Sequence, residues 1–104
     1  MTLYQVELSF SAREDIQDIT HYTFVEYGSK QKDLYVSLLE KGLTTIAENP
    51  YIGHAHPDLS DDYQVWKVGK HIVVYTTDDD KSIIYVARIL HQNTDIKRQI
   101  YGTH

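Results

Sequence analysis

Arg88 and His91 close the apolar run Ile83-Ile84-Tyr85-Val86-Ala87-Arg88-Ile89-Leu90-His91, where a charged side chain needs a chemical reason. Read as a strand, the run alternates Arg88 with Ile84, Val86 and Leu90 on one face. A guanidinium cannot shed its charge, so burial there requires a partner. Either Arg88 pairs with a carboxylate inside the fold, or it opens onto a concave surface and meets a ligand or partner. His91 leaves the strand end close by, where an imidazole can serve as general acid or base or simply terminate the strand.

Two other groups invite the same question. His54-Ala55-His56 has the spacing at which two imidazoles share a metal, with Asp58 near. No third ligand is fixed, so we expect loop histidines and no metal. His71 follows Gly69-Lys70 and joins Lys67 and Lys70 in a small basic cluster, which reads as a solvated strand edge or a phosphate contact. Asp78-Asp79-Asp80 suits a turn. The sequence has no glycine-rich phosphate loop, nucleophile elbow or paired-carboxylate motif, and no cofactor is implied.

Charge narrows the field further. Ten Lys and Arg against fifteen Asp and Glu give a formal net charge of −5 over 104 residues. Gripping a phosphate backbone usually needs a basic excess, and long-range steering here opposes it. The absence of cysteine excludes disulfides and thiolate metal sites and fits a reducing cytosol. No apolar run approaches the roughly 20 residues of a membrane span, and the first residues lack a signal-peptide pattern. We therefore expect one cytoplasmic domain over residues 1–104, with no membrane partner.

The elements that must position these groups follow from periodicity. Residues 3–10 alternate, with Tyr4, Val6, Leu8 and Phe10 on one face of a strand. Ser11-Ala12-Arg13-Glu14 fits a capping box, followed by Ala12, Ile16, Ile19, Thr23 and Tyr27 at helical spacing and by Gly28 at a left-handed terminus. Ser29 can cap a second helix whose stripe is Tyr35, Leu38, Leu39, Gly42, Leu43, Ile46 and Ala47, ended by Asn49-Pro50. With only Gly28-Ser29 between them, the helices should form an antiparallel hairpin. A loop over 50–62 leads to strands at Tyr63–Val68, His71–Thr76 and Ser82–Leu90. The last two are nearly continuous apolar runs, as in strands covered on both faces. A short helix from Asn93 on carries Ile96, Ile100 and Tyr101 on one side. This predicts an α+β fold: a strand, an antiparallel helical hairpin, a three-stranded antiparallel sheet and a short C-terminal helix.

In that order, Ser11-Ala12-Arg13-Glu14-Asp15-Ile16 with Ile19 and Tyr22, Tyr35 with Leu38, Glu48-Asn49-Pro50 with Gly53, and Val68-Gly69-Lys70-His71-Ile72-Val73-Val74-Tyr75 form an ordered set across nearly the whole chain. Val86-Ala87-Arg88-Ile89-Leu90-His91, followed by Asp95, is the most specific part. The set resembles the ParE branch of the RelE/ParE toxin superfamily. That resemblance implies the toxin of a type II toxin–antitoxin module. ParE members are held to trap the cleaved-DNA complex of DNA gyrase without clear catalytic chemistry of their own, whereas RelE-type relatives cut messenger RNA on the ribosome. Both are neutralised by an antitoxin whose flexible tail folds around the toxin, here expected to be ParD-like with a ribbon-helix-helix start.

The resemblance implies a hetero-oligomer with that antitoxin and contact with DNA only through antitoxin or gyrase. A gyrase-binding surface would comprise Arg88, His91, Asp95, Lys97, Arg98 and Tyr101, and the antitoxin would dock on Ile16, Ile19, Tyr35, Leu38 and Leu39. A ribosome-dependent ribonuclease would instead use His54, Lys67, Lys70, His71, Arg88 and His91; an inactive relative kept as antitoxin partner is a further alternative. The family often carries Arg after the Pro-x-x-Gly turn and at the start of the next strand, where this sequence has His54 and Gln64. Both departures weaken the ribonuclease reading.

Overall fold

A computed structural model describes residues 3–102. The chain runs β1 (Gln5–Leu8), α1 (Phe10–Tyr27), α2 (Ser29–Glu48), β2 (Gln64–Val68), β3 (His71–Asp78), β4 (Ile83–His91) and α3 (Ile96–Tyr101). The α+β reading and the helical hairpin hold. The three later strands do form an antiparallel array, and β1 extends it to a mixed four-stranded sheet of order β1-β4-β3-β2. β1 lies parallel to β4, Gln5 opposite Ile83 and Leu8 opposite Val86. A parallel partner needs a long crossover, and the two helices supply it.

Two apolar layers explain the continuous apolar runs of β3 and β4. Ala12, Ile19, Leu39 and Ile46 from the hairpin pack on Val73, Tyr75, Ile84, Val86 and Ile89. On the opposite face Leu59, Val65, Val74, Leu90 and Ile96 form a smaller layer beneath α3. Ile46 and Ile84 are fully buried, and each contributes about 1.5–3 kcal/mol relative to exposure. Tyr75 is equally buried, and its hydroxyl donates to Pro50 O at 2.8 Å while accepting Gly53 N–H at 3.1 Å. Those bonds fasten the start of the 50–62 loop to the sheet.

Several boundaries differ from those expected, each for a local reason. α1 begins at Phe10 because Ser9, not Ser11, is the cap: its Oγ accepts Ala12 N–H at 2.9 Å. Phe10 therefore leaves the face it was expected to share with Tyr4, Val6 and Leu8 and is 76% exposed. Ser29 does not cap α2. Gly28, at φ 89°, donates to Phe24 O as α1 ends and accepts Lys32 N–H as α2 begins, so one residue serves both helices. β3 continues through Asp78, which then accepts Lys81 N–H at the turn. α3 starts at Ile96 rather than at Asn93, with Asp95 as its cap.

Candidate functional site

The site begins where β1 stops. Beyond Ser9 N–H, which donates to Val86 O, β4 has no neighbouring strand on that side among the described residues. The start of the hairpin completes the open edge: Ser9 Oγ donates to Ala87 O at 2.7 Å, and Asp15 Oδ2 accepts Ile89 N–H at 2.9 Å. An unmet amide at a covered edge is costly, so Asp15 stands in for the missing strand. The same carboxylate receives Arg88 in a two-pronged pair, Nε to Oδ2 and Nη2 to Oδ1, both at 2.8 Å. Arg88 Nη1 reaches Gln99 Oε1 on α3 at 3.2 Å. Asp15 and burial act in opposite directions on the guanidinium; the hydrogen bonds from Arg88 to Asp15 dominate and raise its pKa.

Arg88 does not share a face with Ile84 and Val86, as strict alternation predicted. The ladder pairs Tyr75 with Val86 but Val74 with Arg88, so Ala87 is the extra residue of a β-bulge. The bulge resets the alternation. Val86 and Ile89 both face the hairpin, Ala87 and Leu90 the α3 side, and Arg88 is turned toward the edge where Asp15 waits.

Beside this pair, the ends of β3 and β4 bring two histidines together. His71 is directly opposite His91 in the ladder, with ring centroids 5.5 Å apart in an edge-to-face arrangement. The Tyr35 hydroxyl on α2 lies 2.5 Å from His71 Nδ1, and its oxygen accepts Lys70 N–H at 3.0 Å. Burial lowers the His71 pKa, the neighbouring His91 adds to the effect and Asp15 opposes it. Burial also raises the Tyr35 pKa, partly offset by the Lys70 amide, so the phenol keeps its proton. The turn at Gly69 has φ 60°, and a Cβ there would come within 2.8 Å of the Tyr35 hydroxyl. Glycine is what lets the β2–β3 turn close onto Tyr35.

These groups line one cleft of about 850 Å³ between the hairpin and the ends of β3 and β4. Asp15, Asp18, Tyr22, Tyr27, Gln31 and Tyr35 form the helical wall; Lys70, His71, Arg88 and His91 form the sheet wall, with Gln99 at one side. Of the residues singled out by sequence, the fold thus gathers Tyr35, Lys70, His71, Arg88 and His91. It does not bring His54 or Lys67 to them. His54 is exposed and exchanges backbone bonds with Val65, covering part of the outer edge of β2, while Lys67 is exposed on that strand. Gln64 starts β2 and accepts from Thr77 Oγ1 at 3.5 Å.

The expected gyrase and antitoxin surfaces also separate. Asp95 is used as the α3 cap, accepting Arg98 N–H at 3.2 Å, and the Tyr101 hydroxyl accepts Ser60 N–H at 2.8 Å. Lys97 and Arg98 are exposed, away from the cleft lining. Ile19 and Leu39 are corrected from docking positions to core, at 9% and 3% exposure, and Ile16 packs on that core partly buried. Leu38 is exposed, and so are Tyr22, Val25, Tyr27 and Leu34 of the same hairpin. Sequence reasoning missed Asp15, Asp18 and Tyr22. They form a polar stripe at helical spacing next to the apolar stripe of Ile16, Ile19 and Thr23, and the unpaired charge of Arg88 was a reason to look there. Among the described residues, no three His, Asp or Glu side chains gather as a metal site, and no helix is long and apolar enough to cross a membrane.

Comparison with known proteins places this geometry. The model of the ParE toxin of type II toxin–antitoxin systems, parDE, matches residues 6–96. Toxin ParE1 of Caulobacter vibrioides is 30% identical over 93 residues, covering 89% of this chain and 94% of the relative. Toxin ParE1 of Mycobacterium tuberculosis is 29% identical over the same extent. Among solved structures, the chromosomal ParDE system of P. aeruginosa superposes with a TM-score of 0.71 at 12% identity, covering 86% of this chain and 96% of that one. A mutant of the E. coli toxin RelE in the free state superposes at 0.64 and 16% identity, covering 95% and 94%, which extends the shared fold across both branches. The match over nearly the full described length, with the Arg88-to-His91 strand end inside it, makes this chain a member of the ParE toxin family of type II toxin–antitoxin systems.

Proposed function

We propose that this toxin inhibits DNA gyrase by binding, trapping its cleaved-DNA complex, and that a ParD-like antitoxin with a ribbon-helix-helix start and a flexible tail neutralises it. The observation that carries a binding role is the state of Arg88. Its guanidinium is already met by Asp15 and Gln99, so it is not free to offset a phosphorane. The basic set that RNA cleavage would need is divided, with His54 and Lys67 outside the cleft. The net charge of −5 points the same way.

In this reading the target surface is α3 and its root. Lys97 and Arg98 offer exposed charge, Asp95 and Tyr101 hold the segment in shape, and Arg88 ties it to β4 through Gln99, with His91 beside. The antitoxin tail lies on exposed apolar positions of the hairpin, Leu34 and Leu38 among them. Solved neighbours include the ParDE system of P. aeruginosa and a RelBE2 toxin–antitoxin complex of Mycobacterium tuberculosis, which supports an antitoxin partner. Purified chain is added to gyrase supercoiling and cleavage assays. Loss of supercoiling with accumulation of cleaved DNA is expected; neither effect at micromolar protein would overturn the reading. Codon-positioned cuts in translated messages, read by primer extension, would establish the ribonuclease instead.

A further inference from the structure

Strand pairing builds a histidine pair that spacing along the chain could not show. His71 and His91 stand directly opposite each other in the β3–β4 ladder, so their side chains leave the same face of the sheet. Their ring centroids are 5.5 Å apart. Two imidazoles on one tetrahedral ion, each bound at about 2.1 Å, hold their rings roughly 5 Å apart, so a small rotation joins these two. His71 is half-buried and His91 exposed, which leaves the pair open to solvent. The loop pair has no such frame: His54 bridges Val65, but His56 lies outside any strand or bridge.

The surroundings suit a cation held at Nε2 of each ring. His71 Nδ1 lies 2.5 Å from the Tyr35 hydroxyl oxygen, which also accepts Lys70 N–H. With a metal at Nε2, the His71 hydrogen sits at Nδ1, and the second lone pair of the Tyr35 oxygen can take it. An outer oxygen of this kind fixes the tautomer and orientation of a ligating imidazole. His91 Nδ1 accepts Asn93 N–H at 3.2 Å, so the metal-free ring carries its hydrogen at Nε2. That bond is exposed, and water can take over the amide when the ring turns to an ion. Charge is mixed but favourable. Lys70 opposes a cation; Asp18 lines the same cleft, Arg88 is neutralised by Asp15, and the chain as a whole carries −5.

The geometry points to a site for a zinc-class divalent ion at the end of the β3–β4 ladder. His71 and His91 are its protein ligands, Tyr35 orients His71, and water completes the shell. Imidazole nitrogen suits zinc, whereas magnesium prefers oxygen. The inference stands apart from the target and from neutralisation, because its test uses the free chain and zinc chloride alone. Imidazole ¹H–¹⁵N spectra of the whole chain, in buffer without chelator, should show saturable shifts at His71 and His91 with one ion per chain. The His91 hydrogen should move from Nε2 to Nδ1, and EDTA should reverse every change. His71→Gln and His91→Gln should each abolish saturation at the remaining ring; His91 is exposed, so its replacement leaves the core intact. Tyr35→Phe should weaken zinc about tenfold. Replacing His54 and His56 by Gln should leave the affinity unchanged, and magnesium chloride should give no saturable shift. Absence of a saturable zinc shift, shifts confined to His54 and His56, undiminished affinity in His91→Gln or Tyr35→Phe, or an equal response to magnesium would each overturn it.

Discussion

Asp15 and Asp79 secure opposite ends of β4 with the same chemistry in different surroundings. Asp15 holds the strand's far end, taking both Arg88 prongs and the Ile89 amide, and its side chain is 12% exposed. Asp79, in the turn before β4, receives the hydroxyls of Tyr4 at 2.8 Å and of Tyr51, and it is open to solvent. Each carboxylate ties together segments far apart in sequence. The difference is solvent. Where water is excluded, removing one partner strands a charge and an amide; where water has access, it replaces what is lost. Burial, more than the number of bonds, should therefore decide how much each knot matters.

Asp15→Ala should have the largest effect. It leaves the Arg88 guanidinium, 24% exposed, and the Ile89 N–H without their acceptor. We expect a loss of about 3 kcal/mol, read as a fall in the urea midpoint with an unchanged slope. A double-mutant cycle with Arg88→Met should show strong coupling. A loss below ~1 kcal/mol would mean that water reaches this edge as freely as it reaches Asp79, and the contrast between the two ends would fail.

Ser9→Ala comes next. One hydroxyl both caps α1 and donates to Ala87 O at the same edge of β4. Its removal should cost about 1–2 kcal/mol, and Ser9→Asp should recover the cap but not the bond to Ala87. Ser11→Ala serves as the control, since Ser11 is an exposed residue inside the first turn and should be nearly silent. Equal effects at the two serines would move the helix start back to where the capping-box pattern had placed it.

These residues also mark how far the sequence could be read. The apolar stripes of both helices, their antiparallel hairpin and the three later strands were legible because burial imposes periods of 3.6 and 2 on residue type. The parallel seating of β1 was not, because strand alternation says which face is buried and nothing about the neighbour. The face of Arg88 was misread because the Ala87 bulge adds one residue to the count without any mark in composition. Its partner lies 73 residues away on an otherwise ordinary helix. The cleft inherits both gaps. Arg88, His71 and His91 could be picked out singly, but the paired charge and the hydrogen bonds of the two imidazoles depend on Asp15, Tyr35 and a backbone amide at Asn93.

His71 extends the comparison to pH. Burial and His91 depress its pKa below the ordinary 6.5, with Asp15 opposing. The unfolded chain then binds more protons than the folded one just below pH 6.5, so the contribution of His71 is complete above that value and is lost as pH falls through the depressed one. Tyr35→Phe removes the hydroxyl that lies 2.5 Å from Nδ1; with Tyr35 as the donor of that bond, the His71 titration should shift upward in ¹H–¹⁵N spectra. An unmoved midpoint would show that Tyr35 does not hold the ring in its neutral form.

The smallest effect is expected at Asp79, where the sign of its pH dependence is informative. Its two tyrosine hydroxyls lower the Asp79 pKa below 3.8, while the hydrogen bond to Asp79 pushes Tyr51 up to about 12 from an ordinary 10.0. A depressed carboxylate contributes above its unfolded pKa and loses that contribution on acidification; a raised phenol contributes below pH 10.0 and loses it as pH climbs toward 12. The clamp is thus intact between those limits. Asp79→Asn should lower the urea midpoint at pH 7 by less than Ser9→Ala does, and the deficit should shrink at both extremes, where the wild-type clamp is itself opening. A pH-independent deficit, or one that matches Asp15→Ala, would mean that the exposed knot is shielded from water after all. Tyr4→Phe and Tyr51→Phe then divide the result, because Tyr4 is half-buried against the main core and keeps its ring packing, whereas Tyr51 is 59% exposed and has little beyond the hydrogen bond to lose.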